Sequence, residues 1–507
     1  MNFSKKIKLS YITLAISLVN LVLYHLPFYN FVVNKTDASS LNGILLIISL
    51  TVLLLLLNFL IFYIILYLLG SIGKWFLMLF FIINSIAVYF INTYGVIVDK
   101  SMIGNVLNTN FEESSSFLSF NLFIYLGFLG LLPSILLFKL KITSLKLKKF
   151  FVHIFLTFIV LLLLAYANAT NWLWIDKHSK TLGALVMPWS YVVNTSRFYY
   201  QKNQRNKEQI LLPNATIKDN EKSVAVLVIG ESARSQNFSL YGYEKMTNPL
   251  LSKIDNTSIY KAESCATYTT AGIKCMLQHK NSRKLYEILP NYLYRNGVDV
   301  IWRTTNWGEP PVKIKEFNKR KDLEVLCDGE DSLYDEVLLC GLREQILESK
   351  KNKILIVLHM STSHGPTYYK KYPERFKAFT PECKSVELAK CSQEELINSY
   401  DNTILYTDYI LAALIKELKK LENYNSSMLF VSDHGESLGE KNLYMHGLPV
   451  SIAPKEQLDI PFIIWNSKQT KELKDNELLS QHHVFHSILD VLAIDSSIYI
   501  EDLSIYK

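Results

Sequence analysis

The chain has 507 residues, half of them hydrophobic, with 53 Lys and Arg against 46 Asp and Glu for a formal net charge of +7. That length accommodates about three average domains. Apolar residues crowd into the first third, which excludes a wholly soluble globular protein, and the positive charge lies mostly between apolar stretches, so it carries no nucleic-acid signature.

Residues 9–31, 41–69, 76–97, 118–138 and 150–168 are apolar and almost free of charge. Each is close to or above the ~20 residues a helix needs to cross a bilayer, and buried soluble helices of that length carry a charged face. The sequence therefore predicts five membrane spans. The first is too long, and too poor in small residues at its end, for a cleaved signal peptide. Basic residues set the orientation: Lys5, Lys6 and Lys8 precede the first span, Lys74 follows the second, and Lys139, Lys141, Lys146, Lys148 and Lys149 separate the fourth from the fifth. The connections at 35–37 and 99–113 carry little net positive charge. The positive-inside rule places the N-terminus in the cytoplasm and everything after about residue 170 on the far side.

Residues 171–218 mix Trp172, Trp174, Trp189, Tyr191, Phe198, Tyr199 and Tyr200 with Lys and Arg. This composition suits a membrane surface and predicts an interfacial linker. The resulting division is a transmembrane domain at 1–170, a linker at 171–222 and an exported domain at 223–507.

In that last domain short apolar runs (224–229, 298–302, 354–359, 428–432, 461–465) alternate with amphipathic stretches. One of these is a helix at 402–421 with Leu405, Ile410, Leu414 and Leu418 on one face. Alternation of this kind predicts an α/β domain with a mainly parallel sheet. Two strand candidates end abruptly in polar residues: Val228-Ile229-Gly230-Glu231-Ser232-Ala233-Arg234 and Leu429-Phe430-Val431-Ser432-Asp433-His434-Gly435-Glu436-Ser437. Open α/β sheets bind ligands past the carboxyl ends of their strands. A carboxylate at one end and an Asp-His pair at the other suit zinc.

A hydroxyl-rich segment, Ser264-Cys265-Ala266-Thr267-Tyr268-Thr269-Thr270-Ala271-Gly272-Ile273-Lys274-Cys275-Met276, offers a nucleophile once a metal lowers its pKa. If it opens a helix, the unpaired N–H groups there favour a phosphate. His364, in Ser363-His364-Gly365-Pro366, and His446, in Tyr444-Met445-His446-Gly447, are placed to supply charge and a proton to a phosphate. His482, His483 and His486 read as helix residues or supports of the site. The six cysteines all follow residue 264 and fall into three close couples, Cys265 with Cys275, Cys327 with Cys340 and Cys383 with Cys391. Other pairings are open in principle, but short local disulfides, each stabilising by ~3 kcal/mol, fit an oxidising compartment.

Over nearly its whole length the chain resembles the phosphoethanolamine transferases of Gram-negative envelopes, the group that includes the mobile colistin-resistance enzymes. The shared features are Gly-Glu-Ser-Ala-Arg at 230–234, the segment at 265–276, Ser-His-Gly-Pro at 363–366, Tyr-Asp-Asn-Thr at 400–403, Ser-Asp-His-Gly-Glu-Ser at 432–437, His446-Gly447 and the cysteine couples. The resemblance implies an exported domain of the alkaline phosphatase and sulfatase superfamily in the periplasm, anchored in the inner membrane. It implies that Glu231, Thr269, Asp433 and His434 surround a catalytic zinc, that Thr269 carries the phosphoethanolamine group during turnover, and that His364 and His446 line the phosphate and leaving-group side. Asn105, Thr109 and Glu113 match lipid head-group contacts, and their i, i+4, i+8 spacing would set them on one helix face.

The implied donor is phosphatidylethanolamine; the implied acceptor is lipid A, a lipooligosaccharide core or another envelope glycan or protein. Ala266, Thr270 and Lys274 stand where the family commonly has Gly, Ala and Pro, leaving two adjacent candidate hydroxyls. Glu309 stands near the place where lipid A enzymes tend to keep a lysine. A sulfatase is disfavoured because Cys265-Ala266-Thr267-Tyr268-Thr269 lacks the Pro and Arg of the sulfatase arrangement. A phosphodiesterase, a glycerol-phosphate transferase of the lipoteichoic acid synthase type, and a non-enzymatic membrane sensor or assembly protein are the remaining alternatives.

Overall fold

Leucine-, isoleucine- and phenylalanine-rich runs without a charged face fold into helices in the computed structural model, which describes residues 6–108, 114–115, 117–143, 146–167, 171–205, 209–282, 284–327, 333–468, 471–475 and 478–507. The chain divides into two compact units, one of residues 1–107 with 118–201 and the other of residues 108–117 with 202–507.

The first unit is helical: α1 (Leu9–Tyr24), α2 (Leu26–Lys35), α3 (Leu41–Leu69), α4 (Ser71–Tyr94), α5 (Lys100–Asn108), α6 (Phe120–Lys139), α7 (Leu147–Ala167), α8 (Trp172–Leu185) and α9 (Trp189–Arg205). Four of these, α3, α4, α6 and α7, are long and apolar enough to cross a membrane. The pair α1 and α2, bent by 65°, makes a fifth if it counts as one span. Ser119 caps α6 by accepting from the Leu122 amide, and Leu126–Leu131 within α6 forms a π-helical segment.

Buried amides stitch the α8–α9 connection to the bundle. Asn20 donates to the Met187 carbonyl at 3.0 Å, Asn84 donates to Asn20 Oδ1 at 2.9 Å, and the Tyr191 hydroxyl donates to Asn84 Oδ1 at 3.0 Å. Trp189 Nε1 donates to Asn58 Oδ1 at 2.7 Å. In an apolar surround the alternative for each group is a lost partner.

The second unit is built on an eight-stranded sheet. Its elements in chain order are β1 (Ser223–Gly230), β2 (Thr257–Glu263), α10 (Thr269–Leu277), β3 (Asp299–Thr304), β4 (Glu316–Lys319), β5 (Lys353–His359), α11 (Gln393–Lys419), β6 (Asn425–Ser432), β7 (Asp459–Asn466), β8 (Leu479–Ser480) and α12 (His483–Val491). The spatial order is β8-β2-β7-β6-β1-β5-β3-β4. Only β7 runs against its neighbours; the other pairings are parallel. β1 and β5 are buried along their whole length, as the continuous apolar runs of a doubly covered parallel sheet require.

Helix α11 starts nine residues before the predicted one and is closed at its N-terminus by a capping box between Ser392 and Glu395. Its buried stripe runs through Ile404, Ile410, Leu411, Leu414, Ile415 and Leu418, and Leu405 is only half-buried. The sulfurs pair locally, as Cys265–Cys275, Cys327–Cys340 and Cys383–Cys391.

Substitution Asn84→Leu strands Asn20 Oδ1 and leaves the Tyr191 hydroxyl only its 3.5 Å contact with the Phe80 carbonyl, and is expected to destabilise the first unit by about 1–2 kcal/mol. Thermal melting of the full-length protein in detergent micelles measures this loss.

Candidate active site and metal centre

Parallel strands β1 and β6 are in register to their last residues, Gly230 opposite Ser432. The next residues, Glu231 and Asp433, therefore leave the sheet side by side. Ser232 follows with φ of 52°, a left-handed conformation that a non-glycine residue holds only when its surroundings enforce it. Here its amide donates to Asp433 Oδ1 at 3.0 Å, its hydroxyl to Glu231 Oε1 at 2.8 Å, and its carbonyl accepts from the Tyr400 hydroxyl at 2.7 Å.

Glu231, Asp433 and His434 are buried and converge. His434 Nδ1 meets the Gly435 carbonyl at 2.9 Å, so that nitrogen carries the proton and Nε2 offers its lone pair. This Nε2 lies 3.5 Å from Glu231 Oε1, 3.4 Å from Asp433 Oδ2 and 3.4 Å from Thr269 Oγ1. Thr269 Oγ1 is 3.4 Å from Glu231 Oε2. A tetrahedral cation with arms of ~2.1 Å has ligand-to-ligand edges of ~3.4 Å. Asp433 Oδ1 accepts from the amides of Ser232 and His434, whereas Oδ2 is buried without a hydrogen-bond partner among the described residues. A buried carboxylate oxygen of that kind is costly unless something positive meets it. The four residues fit zinc by donor type, spacing and this orphaned oxygen.

Thr269 opens the nine-residue helix α10 and is buried among the ligands, while its neighbour Thr270 is half-buried. Gly272, one turn on, lets the helix lie directly on the Asp433 backbone: a Cβ there would fall 2.1 Å from the Asp433 carbonyl oxygen.

Electrostatics follow from burial and mutual approach. Burial alone would raise the Glu231 carboxyl, but the imidazoles of His364, His434 and His446 hold it below the usual range. Asp433 goes the other way, raised by burial and then by the Glu231 charge. His434 is raised, because Asp433 and Glu231 outweigh its burial.

A second tier adjoins these groups. The His446 ring lies 4.2 Å from that of His434 and 5.4 Å from that of His364, centroid to centroid. His364 Nδ1 meets the Gly365 carbonyl at 2.7 Å. His446 Nδ1 meets Glu436 Oε2 at 2.7 Å, and Glu436 Oε1 accepts from the Tyr368 hydroxyl at 2.5 Å. Burial raises Glu436 to about 8 and lowers His446 to about 3.

Several participants escape a reading of motifs alone. Asn306, two residues beyond β3, donates to Glu231 Oε2 at 2.6 Å and to the Met360 carbonyl at 2.7 Å. It sits at a strand end like the others, which is the one signal that points to it. Glu309 is bound inward: it meets His359 Nδ1 at 3.1 Å and accepts from the Thr304 hydroxyl at 2.6 Å. His359 is raised because Glu309 overcomes the effect of its burial. Of the remaining histidines, His482 packs on the Cys265–Cys275 sulfurs, His483 opens α12, and His486 bonds the His279 carbonyl. Of the residues expected at a lipid head group, Asn105 lies half-buried on α5, and Thr109 and Glu113 fall outside the described residues.

Comparison with known proteins matches residues 223–494 to the sulfatase family model and residues 53–203 to the model described as phosphoethanolamine transferase EptA/EptB. The chain is 39% identical over 491 residues to the phosphoethanolamine transferase EptA of Helicobacter pylori, covering 94% of this chain and 91% of that one. It is 34% identical to the phosphatidylethanolamine transferase Mcr-1 of Escherichia coli over 78% of each chain. Among solved structures, the integral membrane lipooligosaccharide phosphoethanolamine transferase A of Neisseria meningitidis superposes with a TM-score of 0.88 at 26% identity, covering 99% of both chains.

Substitution Gly272→Ala forces α10 away from Asp433. The expected outcome is a marked loss of metal from the purified full-length protein, read by elemental analysis, with helix content by circular dichroism unchanged.

Proposed function

The chain belongs to the phosphoethanolamine transferase family, and from that premise we propose that it moves phosphoethanolamine from phosphatidylethanolamine to a lipid A or lipooligosaccharide acceptor through a covalent intermediate on Thr269. It is a multi-pass protein of the bacterial inner membrane with its sulfatase-like domain in the periplasm. The donor and acceptor follow the names of relatives: phosphatidylethanolamine for Mcr-1, lipooligosaccharide for the Neisseria protein and Kdo(2)-lipid A for an Escherichia coli transferase.

The observation that carries the reading is the Thr269 hydroxyl, buried and 3.4 Å from both Glu231 and His434. Glu231, Asp433, His434 and Thr269 would hold a zinc ion, which when bound lowers the pKa of the threonine hydroxyl and offsets charge on the phosphoryl oxygens. In the first step Thr269 Oγ1 attacks phosphorus, the bond to the glycerol oxygen breaks, and diacylglycerol leaves with a proton. In the second an acceptor oxygen attacks the same phosphorus, loses its proton and releases Thr269. Asn306 keeps Glu231 aimed at the cluster. His446 is suited to the proton transfers: as its Nε2 gives a proton to the departing oxygen, its Nδ1 takes the proton of Glu436, and the acceptor's proton returns along the same path in the second step. His364, on the same side, adds positive charge opposite the phosphate.

Hydrolysis is the competing outcome that the sulfatase-like domain favours. Phosphatidylethanolamine labelled in its head group separates the two: transfer puts the label on a lipid acceptor, hydrolysis puts it in water-soluble phosphoethanolamine.

Thr269→Ala is expected to lower transfer by at least ~10³-fold while Thr270→Ala keeps most of it. Mass spectrometry of the wild-type protein incubated with donor alone should find the added phosphoethanolamine on Thr269; finding it on Thr270 refutes the assignment. The proton relay has a pH signature. Glu436 is raised to about 8, so its donor form is present below that pH and is lost as pH rises through it. The kcat profile should therefore fall on its alkaline side near pH 8. Glu436→Gln, whose amide can donate to Nδ1 but cannot pass on a proton, should remove that limb and lower kcat.

A further inference from the structure

One buried amide touches both halves of the cluster without belonging to either. Gln481 lies between β8 and α12 and is fully buried. Its Nε2 donates to two successive carbonyls, Ser432 at 2.9 Å and Asp433 at 2.7 Å. Its Oε1 accepts from the Cys265 amide at 3.0 Å. Cys265 is joined to Cys275 inside α10, so this acceptor holds the loop that leads into Thr269. His482, the next residue, places Nε2 3.5 Å and 3.8 Å from the two sulfurs. The Asp433 carbonyl is thus gripped from two sides, by the Gln481 amide and by α10 at Gly272.

We propose that Gln481 is a positioning residue that sets the distance between the nucleophile helix and the Asp433–His434 pair. The inference rests on the metal-centred reading above. Two N–H groups and one acceptor on a single planar group meet three backbone partners from segments far apart in the chain. A glutamate would turn an oxygen toward two carbonyl oxygens, and a methionine would leave three buried backbone groups unpaired. Either change frees Asp433 to move relative to Thr269, and displacements of about 1 Å at a reacting centre cost on the order of 10²-fold in rate.

The test uses full-length protein in detergent carrying Gln481→Met or Gln481→Glu. Three quantities are measured: the zinc dissociation constant by chelator competition, kcat and KM for phosphatidylethanolamine, and the melting temperature after metal removal. The expected result is a zinc dissociation constant raised about 10- to 100-fold and a kcat lowered about 100-fold, with KM nearly unchanged. A purely structural glutamine would lower the metal-free melting temperature and leave zinc affinity and kcat as in the wild type; that result overturns the proposal. If Gln481→Met does not fold, Gln481→Glu, which exchanges one nitrogen for oxygen, carries the same measurements and supports or overturns the proposal by the same criteria. Wild-type protein without zinc or transfer would instead overturn the underlying reading, so the two failures are distinguishable.

Discussion

Two carboxylates and an imidazole, buried with their ligand atoms about 3.4 Å apart, form an arrangement that a folded chain without a cation would avoid. Burial of unpaired charge costs several kcal/mol per ion, and the opposed shifts of Glu231 and Asp433 reflect that tension. The surrounding structure offsets part of it with fixed dipoles. Two backbone amides face one oxygen of Asp433, and the Asn306 amide and Ser232 hydroxyl face Glu231. One Asp433 oxygen has no hydrogen-bond partner among the described residues, which is where a metal would complete the balance.

The sheet makes such a cluster from distant segments. Because β6, β1, β5 and β3 are adjacent and parallel, their carboxyl ends bring Asp433, Glu231, the 361–364 loop and Asn306 to one edge. Register decides the outcome: a slip of one residue between β1 and β6 would turn Glu231 and Asp433 to opposite faces. The left-handed turn at Ser232 and the close approach at Gly272 are local consequences of holding those ends near Thr269. One of the three short disulfides, Cys265–Cys275, spans the Thr269 segment at this edge.

Strands β1, β3, β5, β6 and β7 are legible in the sequence because buried strands read as apolar runs, and the polar residues ending two of them expose Glu231, Asp433 and His434 directly. Strands β2, β4 and β8, near the sheet margins, carry little apolar pattern and leave no such trace. Periodicity alone puts Leu405 on the buried face of α11, but the helix begins earlier and its stripe passes through Ile404 instead. Asn306, Glu436 and Gln481 act through partners remote in sequence, so no spacing rule points to them. Glu309 stands out in the sequence as a change of charge near the acceptor; its tie to His359 shows that a lone carboxylate read from sequence says nothing about which way it faces. Between Thr269 and Thr270, only the helix start distinguishes the two: the first residue of α10 is buried beside the ligands and the second is less enclosed.

In the two-step scheme the same phosphorus is attacked twice from one site, and this divides the demands on the protein unequally. On that proposal the buried cluster would recognise a phosphodiester, stabilise charge on it and return a proton, with the same demands in both steps. Nothing in those tasks distinguishes one acceptor hydroxyl or phosphate from another. On that proposal, selectivity would be set where an acceptor first meets the domain, at less buried residues bordering Thr269. The loop after β3 borders it: a Cβ at Gly308 would lie 3.2 Å from Thr270 Cγ2 and 3.5 Å from Thr269 Cγ2, Trp307 beside it is half-buried, and Asn306 at its root donates to Glu231. One short segment thus joins the Asn306 amide that holds Glu231 to the half-buried residues that follow it.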